Sequence, residues 1–330
     1  MLAMDFLIVV VALPRIQQDL GFSPASLTWV PNAFGLAFGG LLLLGGRLGD
    51  MIGQVRAFRI GLFVFVVASL AGGLAQLPTV LIAARIAQGV GAALAAPSVL
   101  ALVMVMARDE KEKARGLSLF TAVSSIGASA GLILGGVLTD SLSWRWALLI
   151  NVPVGALVVV AIAHLVEETH PQPTRLDVAG ASTATFGSMA LVYGFISAAE
   201  NGWAAPGTLA SFVGAAGLLL AFFRIEKRHP TPLLDLGLLR DRSRLGGLGV
   251  MALIVGVHFA MLFLLVQYLE RVLGWTPLAA GLGYMPLTVT VFAVSEFAPP
   301  ADREIRRTRA ADRGKRYRRA EPDGLRAVGR

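Results

Sequence analysis

Arg85 is a charged side chain inside an otherwise uncharged, apolar run from Val80 to Ala107. A guanidinium stays protonated and is costly at the centre of a bilayer, so such a residue usually faces an ion-paired or wet bundle interior. Gln88 follows three residues later, and small residues follow at Gly89 and Gly91, which lets a second helix approach closely. This spacing indicates a buried functional cation; the alternative is that Arg85 snorkels to the nearby interface.

A second polar segment, at residues 46–56, combines an acid, bases and glycines. Its candidate gating residues are Gly46, Asp50, Gly53 and Arg56. A glycine-bearing turn with an acid and a base can hold two helix ends together in one conformation and release them in another. A plain charged loop is the alternative.

Glycines recur every four residues at Gly127, Gly131 and Gly135, and Gly136 follows directly. Residues four apart lie on nearly one face of a helix. The stripe therefore predicts close packing against a neighbouring helix, which is either a purely structural contact or part of a transport motif.

The composition indicates the class of protein that positions these residues. Of 330 residues, 55% are hydrophobic and 15% are charged, which predicts an integral membrane protein. There is no cysteine, and the four histidines have no metal-ligand spacing, so neither disulfides nor a metal centre is expected. The N-terminus has no basic segment before its apolar stretch, which indicates a membrane span rather than a signal peptide.

Ten apolar stretches qualify as candidate membrane helices, since a bilayer core of about 30 Å needs roughly 20 helical residues. They are Leu2–Ile16, Val30–Leu48, Phe58–Leu77, Val80–Ala107, Gly116–Leu138, Trp146–Val166, Val178–Ala199, Leu209–Phe223, Leu245–Leu269 and Pro277–Phe297. The predicted fold class is an all-α polytopic membrane bundle of about ten transmembrane helices. In the ninth stretch, His258 and Gln267 are candidates for a substrate path, although a lone histidine on a helix is more often structural.

Positive charge predicts the orientation of these helices. The loops after the even-numbered helices hold fourteen Lys and Arg, against three in the other loops. By the positive-inside rule the even loops and both termini are cytoplasmic, and we expect a multi-pass protein of the cell membrane.

Together these segments resemble the major facilitator superfamily, most closely its fourteen-helix branch of drug:proton antiporters. Residues 46–56 resemble the superfamily's loop motif, residues 81–93 its helix-four motif, and residues 127–138 the antiporter motif of helix five. Further similar positions are Asp5, Ile8, Val9 and Val11–Pro14 in the first helix, and Trp144–Trp146 and Asn151–Gly155 at the start of the sixth. The resemblance covers residues 1–292.

The resemblance implies export of small apolar or cationic molecules in exchange for protons, by alternating access. The energy source is then the proton gradient, without a cofactor. An intramembrane carboxylate such as Asp5 changes its protonation with access to water and with nearby charge, so we expect Asp5 to be the proton-linked acid and Arg85 the cation that tunes it. The alternative places Asp5 at the lipid headgroups. Expected partners are a small-molecule substrate, protons and the lipid bilayer, but no nucleic acid.

Several positions depart from the family's patterns. Met51 and Gln54 stand where the loop motif usually has basic residues, Leu132 replaces a proline, and Val10 replaces an asparagine. Without that proline we expect no local kink in helix five. A weaker gate is also expected, because only Asp50 and Arg56 remain to carry it.

The composition changes after residue 297, where a tail carries eleven Lys and Arg against five acids. We predict four segments: a six-helix half at 1–166, a link with two extra helices at 167–223, a linker with two helices of an incomplete second half at 224–297, and a basic tail at 298–330. Because the branch continues with four further spans, we expect a truncated chain with a disordered or out-of-frame tail.

Three readings of the whole chain follow from this tail. The first is a truncated multidrug exporter or a non-transporting relic of one. The second is a short transporter completed by self-association or by a partner, its tail attracted to anionic lipid. The third is a membrane enzyme, which the absence of paired acids, of a metal-ligand spacing and of a nucleophile with a base argues against.

Overall fold

Apolar runs bounded by polar, proline and glycine residues fold into helices throughout the described part of the chain. The structure is a computed structural model of the 330-residue chain, and it describes residues 1–166, 168, 177–229, 237, 241–283, 285–287 and 290. The helices are α1 (Leu2–Leu20), α2 (Pro24–Leu27), α3 (Trp29–Ile52), α4 (Gln54–Gly73), α5 (Pro78–Met106), α6 (Glu110–Ser141), α7 (Trp146–Leu149), α8 (Asn151–Leu165), α9 (Val178–Asn201), α10 (Pro206–Glu226), α11 (Arg242–Arg271) and α12 (Pro277–Gly283). No strand occurs among these residues, and the predicted all-α class is confirmed.

Local side-chain chemistry determines where several helices begin and end. At the start of α6, the Asp109 side chain accepts a hydrogen bond of 2.7 Å from the backbone N–H of Glu112. Asp177 accepts a bond of the same length from Gly180 at the start of α9. These bonds satisfy backbone donors that have no partner within the first helical turn. α1 ends at Gly21, whose φ of 69° lies in the left-handed region that glycine adopts without strain.

Six of the described helices are long and apolar enough to cross a membrane, namely α3, α4, α5, α6, α9 and α10. They coincide with predicted spans two to five, seven and eight. The first predicted span is α1, a 19-residue helix with three charged side chains, and the sixth is divided into α7 and the 15-residue α8. α11 and α12 lie in the ninth and tenth predicted stretches. The membrane helix bundle is therefore confirmed.

The first compact unit of the chain runs from Met1 to Met285 and contains all of these helices. The second unit is Pro286–Arg330, of which the structure describes residues 286, 287 and 290. The predicted basic tail at 298–330 lies outside the described residues. The division into four segments stays a prediction.

Small residues allow α5 to pack tightly against both α3 and α4. A Cβ built on Gly91 of α5 would lie 2.5 Å from the carbonyl oxygen of Gly61 on α4. On the other side, a Cβ on Gly89 would lie 2.6 Å from the carbonyl oxygen of Phe34 on α3. Both distances are shorter than atoms tolerate, so the backbones can be this close only because the glycines have no side chain.

Candidate functional site

Asp5 and Arg85 form an ion pair in the interior of the bundle. Arg85 Nη1 donates to Asp5 Oδ2 at 2.6 Å, and both side chains are 0% exposed. Asp5 belongs to α1 and Arg85 to α5. The structure thus brings together the two residues that the sequence proposed as acid and cation. Arg85 does not reach an exposed surface, and the Asp5 side chain is buried although it lies in the first turn of α1.

Two side-chain amides complete the surroundings of the Asp5 carboxylate. Gln88 Nε2 donates to Asp5 Oδ1 at 3.2 Å, and Asn151 Nδ2 donates to the same oxygen at 2.6 Å. Gln88 Nε2 also donates to Ser69 Oγ at 2.7 Å, and this hydroxyl donates to the Phe65 carbonyl oxygen at 2.8 Å. One buried hydrogen-bond network therefore joins α1, α4, α5 and α8.

The guanidinium of Arg85 has further contacts on its own helix and on α3. Nη1 donates to Gln88 Oε1 at 2.9 Å, and Nε donates to the Val30 carbonyl oxygen at 3.1 Å. The guanidinium carbon lies 4.5 Å from the centre of the Phe34 ring, which attracts a cation through its π-electrons. Nη2 is buried and has no hydrogen-bond partner among the described residues. These contacts hold the cation in one orientation.

This arrangement matches an ionised carboxylate. Three N–H donors point at the two oxygens of Asp5, and each stabilises negative charge more than it stabilises a neutral acid. A proton on either oxygen would place an O–H donor opposite N–H donors. Uptake of a proton therefore requires that hydrogen bonds in this network rearrange, which is how protonation can favour one conformation over another.

The glycine stripe of α6 packs against α1 beside Asp5. A Cβ on Gly131 would lie 2.6 Å from the Met4 carbonyl oxygen, and one on Gly135 would lie 3.1 Å from Ile8 Cα. Nothing lies within 4 Å of such an atom on Gly127, and Gly136 is buried. Close packing is thus observed at two of the four predicted positions. α6 is continuous through Leu132, as the missing proline predicts.

The predicted loop at residues 46–56 is instead almost entirely helical. α3 continues to Ile52 and α4 begins at Gln54, so Gly53 alone connects them, with a φ of 94° that favours glycine. The helices extend because a backbone N–H and C=O are best satisfied within a helix where neighbouring segments exclude water. Gly46 and Asp50 therefore lie within α3, and Arg56 lies within α4.

In this conformation Asp50 contacts Gln54 and Arg47, and a gate carried by Asp50 and Arg56 stays a prediction. Asp50 Oδ1 accepts a hydrogen bond of 2.8 Å from Gln54 Nε2, and Asp50 Oδ2 lies 3.9 Å from Arg47 Nη1. Arg56 is exposed and does not form an ion pair with Asp50 in this conformation. The glutamine that stands in place of a basic residue thus makes the shorter contact with the acid.

The predicted substrate-path residues are not part of the buried network. His258 is exposed on α11, and Gln267 is half-buried on the same helix. Neither contacts Asp5 or Arg85 through the hydrogen bonds described above. Their assignment to a substrate path stays a prediction.

A second polar cluster ties the far end of α1 to other helices. Asp19 Oδ2 accepts hydrogen bonds from Trp144 Nε1 at 2.9 Å and from Arg145 Nη1 at 2.6 Å. Arg145 Nη2 also donates to the Ala75 carbonyl oxygen at 3.2 Å. The indole N–H and then the guanidinium hold the pKa of the Asp19 carboxyl below its ordinary value. Residues that the sequence identified only through a family signature therefore fix the end of α1.

Sequence reasoning missed part of the network. It did not identify Ser69, the Val30 carbonyl oxygen or the Phe34 ring, and it noted Asn151 only as a signature position. A usable signal for Ser69 and Asn151 was their polarity within otherwise apolar helices, since buried polar groups need partners. The backbone and ring contacts have no such signal.

Comparison of the sequence with known proteins shows which family the chain belongs to. The sequence model of the Major Facilitator Superfamily matches residues 1–311. The MFS-type transporter EfpA of Mycobacterium tuberculosis is 38% identical over 288 residues, which are 87% of this chain and 54% of that protein. The puromycin resistance protein pur8 of Streptomyces alboniger is 38% identical over 310 residues, which are 94% of this chain and 61% of that protein.

A third relative is the cephamycin export protein CmcT of Amycolatopsis lactamdurans, 39% identical over 294 residues, or 88% of this chain and 60% of that protein. The chain thus spans between 54% and 61% of the length of these three relatives. The matches confirm the resemblance of the chain to this superfamily. The chain belongs to the Major Facilitator Superfamily.

Proposed function

We propose that the chain serves proton-coupled export of small apolar or cationic molecules, with Asp5 as the acid that takes up and releases the proton. The single observation that carries this proposal is the buried network around Asp5. A carboxylate that is 0% exposed and hydrogen-bonded to Arg85 is costly to place in an apolar bundle, and such residues are typical of proton relays and transport pathways.

The coupling follows from the contacts of Asp5. In its ionised form the carboxylate binds groups on α5 and α8, namely Arg85, Gln88 and Asn151. In its neutral form it loses the attraction to the guanidinium and must change its hydrogen bonds. A proton that binds one arrangement more tightly than the other shifts the equilibrium between them, which is the thermodynamic requirement for coupling.

The names of relatives support the substrate class. One relative is named for puromycin resistance and another for cephamycin export. Both names refer to small molecules, and we propose a lipophilic or cationic small molecule as the substrate of this chain. One set of alternate loops holds fourteen Lys and Arg and the other set holds three, which supports an orientation with both ends of this chain in the cytoplasm.

A transport assay in lipid vesicles tests the proposal. The purified chain is reconstituted into liposomes with an imposed proton gradient, and accumulation of a fluorescent lipophilic cation such as ethidium is measured. We expect gradient-driven accumulation that Asp5→Asn abolishes. Glu200→Gln serves as a matched control, because it removes an acid from an exposed position. Equal gradient-driven accumulation by the Asp5→Asn and unmodified chains would contradict the proposal.

The second reading, in which self-association or a partner completes the transporter, stays open as a proposal. The first half of α11, from Arg242 to His258, is exposed along its length. Chemical cross-linking of the chain in liposomes measures whether it self-associates. A cross-linked dimer that carries the transport activity would favour this reading, whereas activity confined to the monomer would exclude it.

A further inference from the structure

We propose that the side-chain amide of Asn151 inverts when Asp5 takes up a proton, so that it donates to the ionised carboxylate and accepts from the neutral acid. This inference rests on the proposed role of Asp5 in proton coupling. It assigns to α8 a positioning residue for the proton, in addition to the acid on α1 and the cation on α5.

The proton is expected on Oδ1 of Asp5. The other oxygen, Oδ2, lies 2.6 Å from Arg85 Nη1, and a guanidinium has no acceptor for an O–H group. Oδ1 accepts hydrogen bonds only from two neutral amides, Gln88 at 3.2 Å and Asn151 at 2.6 Å, among the hydrogen bonds described. An O–H on Oδ1 needs one of these amides to present its oxygen.

Gln88 cannot turn without losing other hydrogen bonds. Its Oε1 accepts from Arg85 Nη1 at 2.9 Å, and its Nε2 also donates to Ser69 Oγ at 2.7 Å. An inverted amide would point N–H donors at the guanidinium, which can only donate. Both ends of the Gln88 amide are therefore in use, and its orientation is fixed by groups other than Asp5.

Asn151 can turn because the other end of its amide is not in use. Its Oδ1 is buried and has no hydrogen-bond partner among the described residues. The oxygen and nitrogen ends of an amide have nearly the same size, so a half-turn fits the same space. A buried acceptor without a partner is unfavourable. After the half-turn the amide oxygen accepts from the O–H of Asp5, and the N–H donors take the position that the oxygen held.

Protonation of Asp5 takes up one proton from the solvent. That proton forms the O–H bond on Asp5 Oδ1, no other covalent bond changes, and the charge of the site rises by one. Within the described residues, the charged groups that act on Asp5 are Arg85 on α5 and the amino group of Met1. The α4 and α8 groups of the network, Ser69 and Asn151, are neutral. Asn151 is the first residue of α8, so the hydrogen bond that changes lies at the junction of α7 and α8.

Isotope labelling tests the inversion directly. The chain has three asparagines, so protein labelled with nitrogen-15 in its asparagine side chains gives three amide signals by NMR in lipid nanodiscs. Loss of a signal in Asn151→Leu, whose side chain has the same number of heavy atoms in the same branched arrangement, assigns that signal. We expect the Asn151 signal to move between two limiting positions as Asp5 becomes protonated. The infrared C=O band of the protonated carboxyl measures how far that protonation has gone. In Asp5→Asn the signal should not move with pH.

Substitutions at the two amides provide a second readout. Gln88→Leu removes a donor that serves only the ionised form, so the proton affinity of Asp5 should rise about tenfold or more. Asn151→Leu removes a partner of both forms, so the same affinity should change by less than about threefold. If Asn151 instead stayed a donor in both forms, Gln88→Leu and Asn151→Leu should raise the proton affinity of Asp5 by similar factors.

The outcomes separate this inference from the proposed function. If Asp5 titrates but the Asn151 signal stays still, or if Asn151→Leu raises the proton affinity as much as Gln88→Leu, the inversion is wrong and proton coupling through Asp5 stands. If the acid band never appears while the protein is folded, or persists in Asp5→Asn, the proposed role of Asp5 fails and this inference fails with it.

Discussion

The ion pair between Asp5 and Arg85 predicts a large energetic coupling between these residues. Removing one partner of a buried pair leaves an uncompensated charge and destabilises a protein by about 3–5 kcal/mol. Asp5 and Arg85 are both 0% exposed and 2.6 Å apart, so we expect Arg85→Met and Asp5→Asn each to cost about this much. The double variant leaves no unpaired charge, because an amide faces an apolar side chain.

The double variant is therefore expected to be more stable than the two single losses of stability, added together, would predict. Its loss of stability should fall short of the sum of the single losses by about 2 kcal/mol or more. Reversible unfolding of the detergent-solubilised chain, followed by fluorescence of its five tryptophans, measures all four proteins at pH 7. Part of the Arg85→Met cost is relieved if Asp5 takes up a proton, so the measurement is repeated at pH 9, where the coupling should grow.

The pair Arg47 and Asp50 is a matched control in the same chain. These side chains are 3.9 Å apart and 15% and 43% exposed. Pairs this accessible to solvent are screened, and their coupling is typically below about 1 kcal/mol. Additive losses for Asp5 and Arg85, or a coupling no larger than that of the control pair, would refute the reasoning.

Three further predictions concern packing, pH and orientation. Gly131→Ala should destabilise the chain by about 1–3 kcal/mol, whereas Gly127→Ala should be neutral or stabilise it by up to about 1 kcal/mol, because only the first meets backbone within 4 Å; thermal unfolding compares them. The lowered pKa of Asp19 stabilises the folded state above the ordinary pKa and ceases to do so as pH falls through the lowered value. Asp19→Asn should therefore be less stable than the unmodified chain at pH 7, with a difference that begins to shrink below about pH 4 and vanishes only below the lowered pKa. Because the chain has no cysteine, a membrane-impermeant maleimide applied to intact cells should label Trp203→Cys but not Lys111→Cys.

Specific results would contradict each of these three predictions. Equal effects of the two glycine substitutions would show that α1 and α6 do not pack as closely as the structure has them. A stability difference for Asp19→Asn that stays constant from pH 7 to pH 3 would show that its hydrogen bonds do not stabilise the ionised form. Labelling of the position-111 variant from outside would reverse the proposed orientation.

The helices and the central cation were predictable from the sequence for simple reasons. Apolar runs of membrane length form helices because no other local structure satisfies their backbone. Arg85 was identifiable because it has no other charge near it in the run, and Asp5 was identified through the resemblance of the first helix to a family signature. In both cases the polar residue stands out from an apolar surrounding.

The partners of these residues were less predictable. Asn151 is 146 residues from Asp5 along the chain, and nothing in local sequence indicates which of several polar residues meets the acid. Val30 contributes its carbonyl oxygen, a group that every residue has. The segment at 46–56 was misjudged for another reason, since its charges indicated a loop although the helical backbone continues beneath them to Ile52.

The most direct test of the central claim is to count protons exchanged when substrate binds. The purified chain is mixed with ethidium in weakly buffered detergent solutions at a series of pH values, and a pH-sensitive dye records the protons released. If Asp5 is the proton-linked acid, binding should release up to about one proton per bound molecule, and Asp5→Asn should release none while it still binds. The same proton release from Asp5→Asn and from the unmodified chain would contradict the account.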